Sequence, residues 1–381
     1  MAQTPKDTDV SPSGPPGFRS SCRIILGSSW ANILLLSIPL PYLVTPFSPL
    51  WSCIACFLSA IPLLKIFDLS MANISSEWSL TSVGLSSGSI FEQLIAFHAI
   101  YYRQPDVALP LALGSFHCGI LLMTGVYILV FGKYLALSSY KSPVVYHNLG
   151  VCALSLVLSM WTYWQGDYFQ SSAAPSLVLA TFVLLGSLYI YAVQLHQQTS
   201  GPSPSHSIHP KRLVVDPSTN IIVEFKPEGK TVNSWSATLS LVLSFGMMIP
   251  IASHLLGSTM ALMHDHIPFH FTSTVFIPLV IRLAVLLPSI HSVVLTEAAL
   301  LNEIRRGMDS MTVHFPISVL AAATFGNPVS VHMHPVSSCF FLFSIFAFWI
   351  LHAQREERMT GLPLLVFYVT FALAAATGVP V

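Results

Sequence analysis

An all-α integral membrane protein with about eleven transmembrane helices is the fold class this sequence predicts, and three observations predict it. Over its 381 residues the chain is 53% hydrophobic and only 8% charged, where an ordinary soluble domain carries about 25% charged residues. Its apolar stretches recur at bilayer-crossing lengths. Its basic residues gather on one side when those stretches are counted off. A chain this poor in charge cannot cover a water-facing surface, so its natural solvent is lipid. The formal net charge is zero, and nothing in the charge pattern indicates a nucleic-acid partner.

Residues 1–28 begin polar and rich in Pro, Ser and Thr, without the apolar core of a cleavable signal, and read as a disordered cytosolic tail. Stretches long enough to cross roughly 30 Å of hydrocarbon then fall at 29–48, 50–68, 84–101, 107–131, 145–164 and 173–195. A polar segment with Pro, Ser and mixed charge, 197–234, reads as a loop between two halves, 29–196 and 235–381. The second half holds the stretches 236–256, 274–297, 311–327, 336–353 and 361–378.

Charge placement tests that count. Numbered from the tail, one side holds Lys6, Arg19, Arg23, Lys65, Lys133, Lys141 and every basic residue of the long loop, together with Arg305, Arg306, Arg355 and Arg358. Arg103 falls on the other side, and Arg282 lies inside a span. By the positive-inside rule the tail and loop are cytosolic and the C-terminus is lumenal, in an endoplasmic reticulum or vacuolar membrane.

The six cysteines lie in or beside apolar runs without zinc spacing and read as small core residues. No phosphate loop, dinucleotide fingerprint, nucleophile elbow or H-E-x-x-H is present, so no soluble cofactor is expected. The run His264-Asp265-His266, with His270 nearby, lacks a helical pair of ligands, and no metal is expected there. Glu303, Arg305 and Arg306 read as a solvated helix end.

Several stretches carry a family resemblance. FSPLWSCIACFLSAIPLLKIFDLS ends in a worn I-P-L-A-K, and VGLSSGSIFEQLIAFHAIYYRQPDVALPLALGSFHCGILL carries a worn G-N-x-x-E over Gly88, Ser89, Ile90, Phe91 and Glu92. In the following helix a G-S-x-x-x-N falls on Gly114, Ser115 and Gly119. FGNPVSVHMHPVSSCFFLFSIFAFWIL and ERMTGLPLLVFYVTFALA match in the C-terminal part. With these motifs the chain resembles the calcium/proton exchanger family of the cation/calcium antiporter superfamily. The resemblance implies one leading helix and two inverted five-helix repeats, each with a discontinuous helix carrying a buried acid.

A dehydrated divalent cation needs several hard oxygens and compensating negative charge. The first acid stands as Glu92, but the second signature falls on Ile281, Arg282, Leu283, Ala284 and Val285, where the acid is lost and an arginine enters. Inverted-repeat symmetry would set Arg282 opposite Glu92; the alternatives are a water-filled vestibule or Glu297 as its partner. A fixed guanidinium repels a divalent cation, so the departure implies that ordinary exchange is lost. Gly326-Asn327 copies half a signature where the family has a connecting loop and reads as a look-alike.

The reading that follows is a cavity reused for a hydrophobic small molecule, as a cofactor-independent cyclase or isomerase. Such degenerate members look similar to membrane proteins found beside fungal natural-product enzymes. Glu92, Arg282 and His117 are the candidate catalytic residues, with Ser89, His98, Ser115, His291 and Ser318 lining the cavity. Expected partners are the substrate, the lipid bilayer, and a second copy of the chain or other membrane enzymes. A cation/proton antiporter with atypical ligands and a non-catalytic membrane scaffold are the competing readings.

Overall fold

A computed structural model describes residues 17–45, 47–77, 87–131, 150, 152–153, 174–200, 212–215, 222–225, 232–265, 268–290, 297–327, 335–353 and 361–377. Among these, four helical stretches are long and apolar enough to cross a membrane: Pro49–Ile74, Pro105–Leu129, Ser234–Met263 and Phe269–Leu287. A fifth counts if Phe18–Leu26 and Trp30–Val44, bent by 89°, form one span. Shorter apolar helices cover Ser176–Ile190, Val336–Ala347 and Gly361–Ala376. Apart from Gly150, Cys152 and Ala153, the expected span 145–164 lies outside the described residues.

The entry into the bundle is a corner. Helix α1 (Phe18–Leu26) buries Ser21 and Ile25 and leaves Arg23 exposed. Ile25 packs with Ile66, Val232 and Ala237. The chain then turns into a 3₁₀ segment (Trp30–Ser37) and α2 (Leu40–Val44). Asn32 Nδ2 donates to the carbonyls of Ile25 at 3.0 Å and Leu26 at 2.9 Å, satisfying the end of α1 that the turn exposes. Pro39 and Pro41 keep this stretch from running on as one α-helix.

Helix α3 (Pro49–Glu77) packs along most of its length on α8 (Ser234–Asp265), each carrying an interior proline, Pro62 and Pro250. Ser258 Oγ donates to Ser52 Oγ at 2.6 Å across that pair. Between them in sequence come α4 (Ser87–Tyr101), α5 (Ala108–His117), α6 (Thr124–Phe131) and α7 (Ala174–Ser200). The segments α5 and α6 are joined by a π-turn, Cys118–Met123, into a single rod that is almost wholly enclosed.

The second half repeats this manner of building. A short α9 (Phe269–Phe271) leads through a π-turn, Thr272–Phe276, into α10 (Ile277–Ile290). Helix α11 (Glu297–Asp309) leads through another, Ser310–His314, into α12 (Phe315–Thr324). Helices α13 (Pro335–Ala353) and α14 (Gly361–Ala376) complete the described residues. Among the described residues one stretch is extended rather than helical. Inside the long loop, β1 (Arg212–Val215) and β2 (Ile222–Phe225) pair antiparallel, with Arg212 opposite Phe225. Both strands carry β-branched and apolar residues, which suit an extended ribbon better than a helix.

Helices meet closely where glycine permits, as between helices in lipid, where small residues let backbones touch. The α5–α6 rod is crossed this way at three levels. Gly114 faces the backbone of Thr274, Gly119 lies against Gly307, and Gly125 lies against Gly361. A Cβ on Gly114 would overlap the Thr274 carbonyl, and the overlap is with backbone that no rotamer can relieve. Gly114→Ala is therefore expected to cost about 1–3 kcal/mol or more. Gly246→Ala, facing open space on α8, is expected to stay within about 1 kcal/mol of wild type. Thermal unfolding of the two purified variants, compared with wild type, checks the contrast.

Candidate functional site

The site is assembled around the start of α4. The first backbone N–H of α4 and the Ser87 hydroxyl both donate to Asp68 on α3, at 2.9 and 2.8 Å. A carboxylate at this point satisfies a free helix N–H and complements the positive end of the helix dipole. Further along α4 lies Glu92, 4% exposed. Facing it are α10, with Arg282 at 2% exposure, and the α5–α6 rod, with Ser115 fully buried.

The two worn signatures lie against each other. A Cβ added to Gly88 would come 3.1 Å from the Val285 side chain and 3.8 Å from that of Ile281. Arg282 Nε lies 3.6 Å from Glu92 Oε1, within ion-pair range but too long for a hydrogen bond. Ser115 bridges the two charges, since its hydroxyl donates to Glu92 Oε2 at 2.6 Å and accepts from Arg282 Nη2 at 2.8 Å. Ser310 Oγ stands 3.2 Å from Glu92 Oε2 and 3.1 Å from Ser115 Oγ.

Arg282 has a second carboxylate. Its Nη1 donates to Glu303 Oε2 at 3.1 Å, and Glu303 Oε1 in turn accepts from Arg306 Nη1 at 2.5 Å. Arg306 Nη2 lies 3.8 Å from Asp68 Oδ2. The result is an alternating ladder, Asp68–Arg306–Glu303–Arg282–Glu92, of three carboxylates and two guanidiniums. The expected solvated helix end at Glu303 is thereby corrected, because Glu303 is 8% exposed and Asp309 2%. Helix α11 continues through its π-turn into α12, which carries that charged run into the bundle.

Beside Glu92 lies a narrow cleft, partly open to the outside, whose free space of about 10 Å³ is room for roughly one water. Ala96, Ala108, Leu111, Ala112 and Phe315 form its walls. Its polar edge is Glu92, Gln93, Ser310, His314 and Ser318. Gln93 and His314 were not among the residues expected from the sequence. The only signal available was their spacing, one position after Glu92 and four before Ser318.

The other expected residues divide. Ser318 lines the cleft and accepts from Gln93 Nε2 at 2.9 Å, and Ser89 is fully buried on α4. His117 does not join Glu92. Its Nδ1 lies 2.6 Å from the Leu113 carbonyl and its ring stacks on Phe371 at 4.2 Å, with Phe116 and Phe341 at its edges. Two residues beyond Ser115, it has turned about 200° around the helix and faces α14. His98 bonds the Leu94 carbonyl at 2.7 Å and stacks with Tyr102, away from the cleft lining. His291 lies outside the described residues. The look-alike Gly326-Asn327 ends α12, with Gly326 at φ 70°, Gly326 N–H donating to Ala323 and Asn327 N–H to Ala322. Among the described residues no group of three or more His, Cys, Asp or Glu side chains could hold a metal ion.

The long α3–α8 pair, the facing signature stretches and the buried acid define a membrane protein of the exchanger fold. Two solved structures share it. Native YfkE superposes with a TM-score of 0.64 at 13% identity, over 93% of this chain and 99% of that one. The selenium-substituted Ca2+/H+ antiporter protein YfkE superposes with a TM-score of 0.69 at 14% identity, over the same shares. No family model and no curated protein matches the chain. At this identity the likeness shows the fold.

Removing one partner of a buried ion pair typically costs about 3–5 kcal/mol. Arg282→Gln is expected to lose about that much, because it leaves the buried Glu92 without a cation and Glu303 with Arg306 alone. Glu92→Gln should cost less, since Arg282 keeps Glu303 and Ser115. A double-mutant cycle by thermal unfolding reads the coupling, and an Arg282→Gln variant that melts like wild type would show that the ladder adds nothing to stability.

Proposed function

We propose that the chain no longer exchanges calcium for protons and uses its central cavity for a hydrophobic small molecule. The reaction class we assign is a cofactor-independent cyclisation or isomerisation in natural-product biosynthesis. One observation carries the loss of exchange: the Arg282 guanidinium lies beside the oxygens a dehydrated cation would need, bonded to Glu303 and Ser115 and 3.6 Å from Glu92. A cation entering there would have to displace a side chain that cannot leave, and it would meet that side chain's charge at close range.

The cleft beside Glu92 supports the second part. Its alanine, leucine and phenylalanine walls suit an apolar guest that widens it on entry, with Glu92 on its polar edge and the Arg282 guanidinium 3.6 Å from that carboxylate. Fixed charge in a water-poor site stabilises polarised transition states without solvent reorganisation. The finer architecture belongs to the same reading: eleven spans, a leading helix with the first repeat in 29–196, a cytosolic loop 197–234, and the inverted second repeat in 235–381. Charge placement supports a cytosolic N-terminus and a lumenal C-terminus in an intracellular membrane. A second reading, a cation/proton antiporter with atypical ligands, is favoured by the fold and by the ladder's one carboxylate in excess of its guanidiniums.

Proton-gradient-driven calcium uptake into sealed proteoliposomes separates the two. Wild type and Glu92→Gln are both expected to match empty vesicles. Uptake by wild type that vanishes in Glu92→Gln would restore the antiporter. The enzymatic part is falsified if a producing host yields the same metabolites with the Glu92→Ala/Arg282→Ala variant as with wild type.

A further inference from the structure

We propose that α1 lies along the cytosolic face of the membrane and that its Arg19 and Arg23 hold the headgroups of anionic phospholipids. The inference goes beyond the reading of the central cavity and is independent of it.

Three strips follow one another around the axis of α1. Ser21 and Ile25, four residues apart and so on one face, are buried against the bundle. Ile25 packs with Ile66, Val232 and Ala237, and Ser21 Oγ accepts from the Asn233 N–H at 3.0 Å, which fastens α1 to the start of α8. The next strip, Phe18, Cys22 and Leu26, is apolar, and its Phe18 and Leu26 are 51% and 54% exposed. About 100° further round, Arg19 and Arg23 form an exposed basic strip one turn long. Among the described residues the ion pairs run through Asp68, Glu92, Arg282, Glu303, Arg305, Arg306 and Asp309, and neither of these two arginines has a carboxylate partner.

Bundle, apolar strip and basic strip, in that order, are what a helix lying in a bilayer surface needs. The apolar strip meets the top of the hydrocarbon, and the cations meet the headgroups. Two observations set α1 at that level. It stands at 89° to Trp30–Val44, whose exposed Ile33, Leu36 and Leu43 call for lipid, so a segment running into the bilayer leaves α1 running along it. Trp30, just past α1, and Trp235, in the first turn of α8, are both exposed, and indole rings in that position mark the boundary between hydrocarbon and water. Two guanidiniums one turn apart at this boundary, without protein carboxylates, match headgroup oxygens through their forks of donors. A lipid with net negative charge attracts them more than a zwitterionic one does, and the cytosolic leaflet is the anionic one.

The test places the full chain in phosphatidylcholine nanodiscs with a trace of phosphatidylserine or phosphatidylcholine probe, each carrying a diazirine near the top of one acyl chain. After illumination, the label on Phe18–Leu26 is read by peptide mass spectrometry. The serine probe is expected to label α1 roughly five- to thirtyfold more than the choline probe, with the excess shrinking as salt is raised. Arg19→Gln/Arg23→Gln is expected to bring the two probes level, and Arg19→Lys/Arg23→Lys to retain an excess. Equal labelling of wild type by both probes, an excess untouched by Arg19→Gln/Arg23→Gln, or no label on α1 from either probe overturns the inference. So does an excess erased by soluble glycerophosphoserine, which would make the pair a site for free anions instead of a lipid surface.

Discussion

A guanidinium withdrawn from water inside a helical bundle has to be neutralised where it lies, because it can neither shed its proton nor reach the surface. Arg282 imposes that constraint here, and the surrounding structure answers it. Two carboxylates, Glu92 and Glu303, come to it from α4 and α11, and the Ser115 hydroxyl fills the remaining reach. Each carboxylate then makes its own demands. Glu92 takes Ser115 and Ser310, while Glu303 takes Arg306, which leans on Asp68, which caps α4. A single buried charge thus ties together five helical segments. Such a ladder is weak evidence for stability, since desolvation consumes most of what pairing returns. It is stronger evidence for a defined arrangement, because any slip of one helix strands a charge.

The charges meet only because the backbones come close enough. In lipid, apolar side chains gain little by touching each other rather than hydrocarbon, so close approach depends on small residues. The glycines of the α5–α6 rod meet this need at three levels, against Thr274, Gly307 and Gly361. The crossings at Gly114 and Gly119 bracket Ser115, so the hydroxyl that bridges Glu92 and Arg282 sits between two points where the rod lies in close backbone contact with its neighbours.

The membrane-helical character of the fold was legible in the sequence, and the reasons are physical. Span lengths answer to hydrocarbon thickness, and the predicted 50–68, 236–256 and 361–378 are recognisable in α3, α8 and α14. Glu92 and Arg282 stood out because a charge in an apolar stretch has few harmless explanations. Glu303 did not, because Glu303, Arg305 and Arg306 together look like any solvated helix end. Only a continuous helix from 297 through the π-turn to 324 draws them inward, and no residue pattern announces a π-turn. His117 was misplaced for a related reason. Adjacency to Ser115 in sequence says nothing of which helix face is presented, and the rotation between them takes it to the aromatic side chains of α13 and α14. Gln93 and His314 were illegible because their relation crosses two helices distant in sequence.

Helix α4 is fastened at both ends to different neighbours. Its N-terminus hangs from Asp68 of α3, and its last carbonyls receive Asn327 Nδ2, 3.1 Å from the Ile100 oxygen, at the end of α12. Alternating access in inverted-repeat carriers works by rocking one bundle of helices past another. Here, a stroke of the α3–α8 pair would have to part Asp68 from Ser87 and from Arg306 together. The contact of α3 with α4 and α11 is therefore latched by charge, and parting it would begin by exposing an unmatched carboxylate.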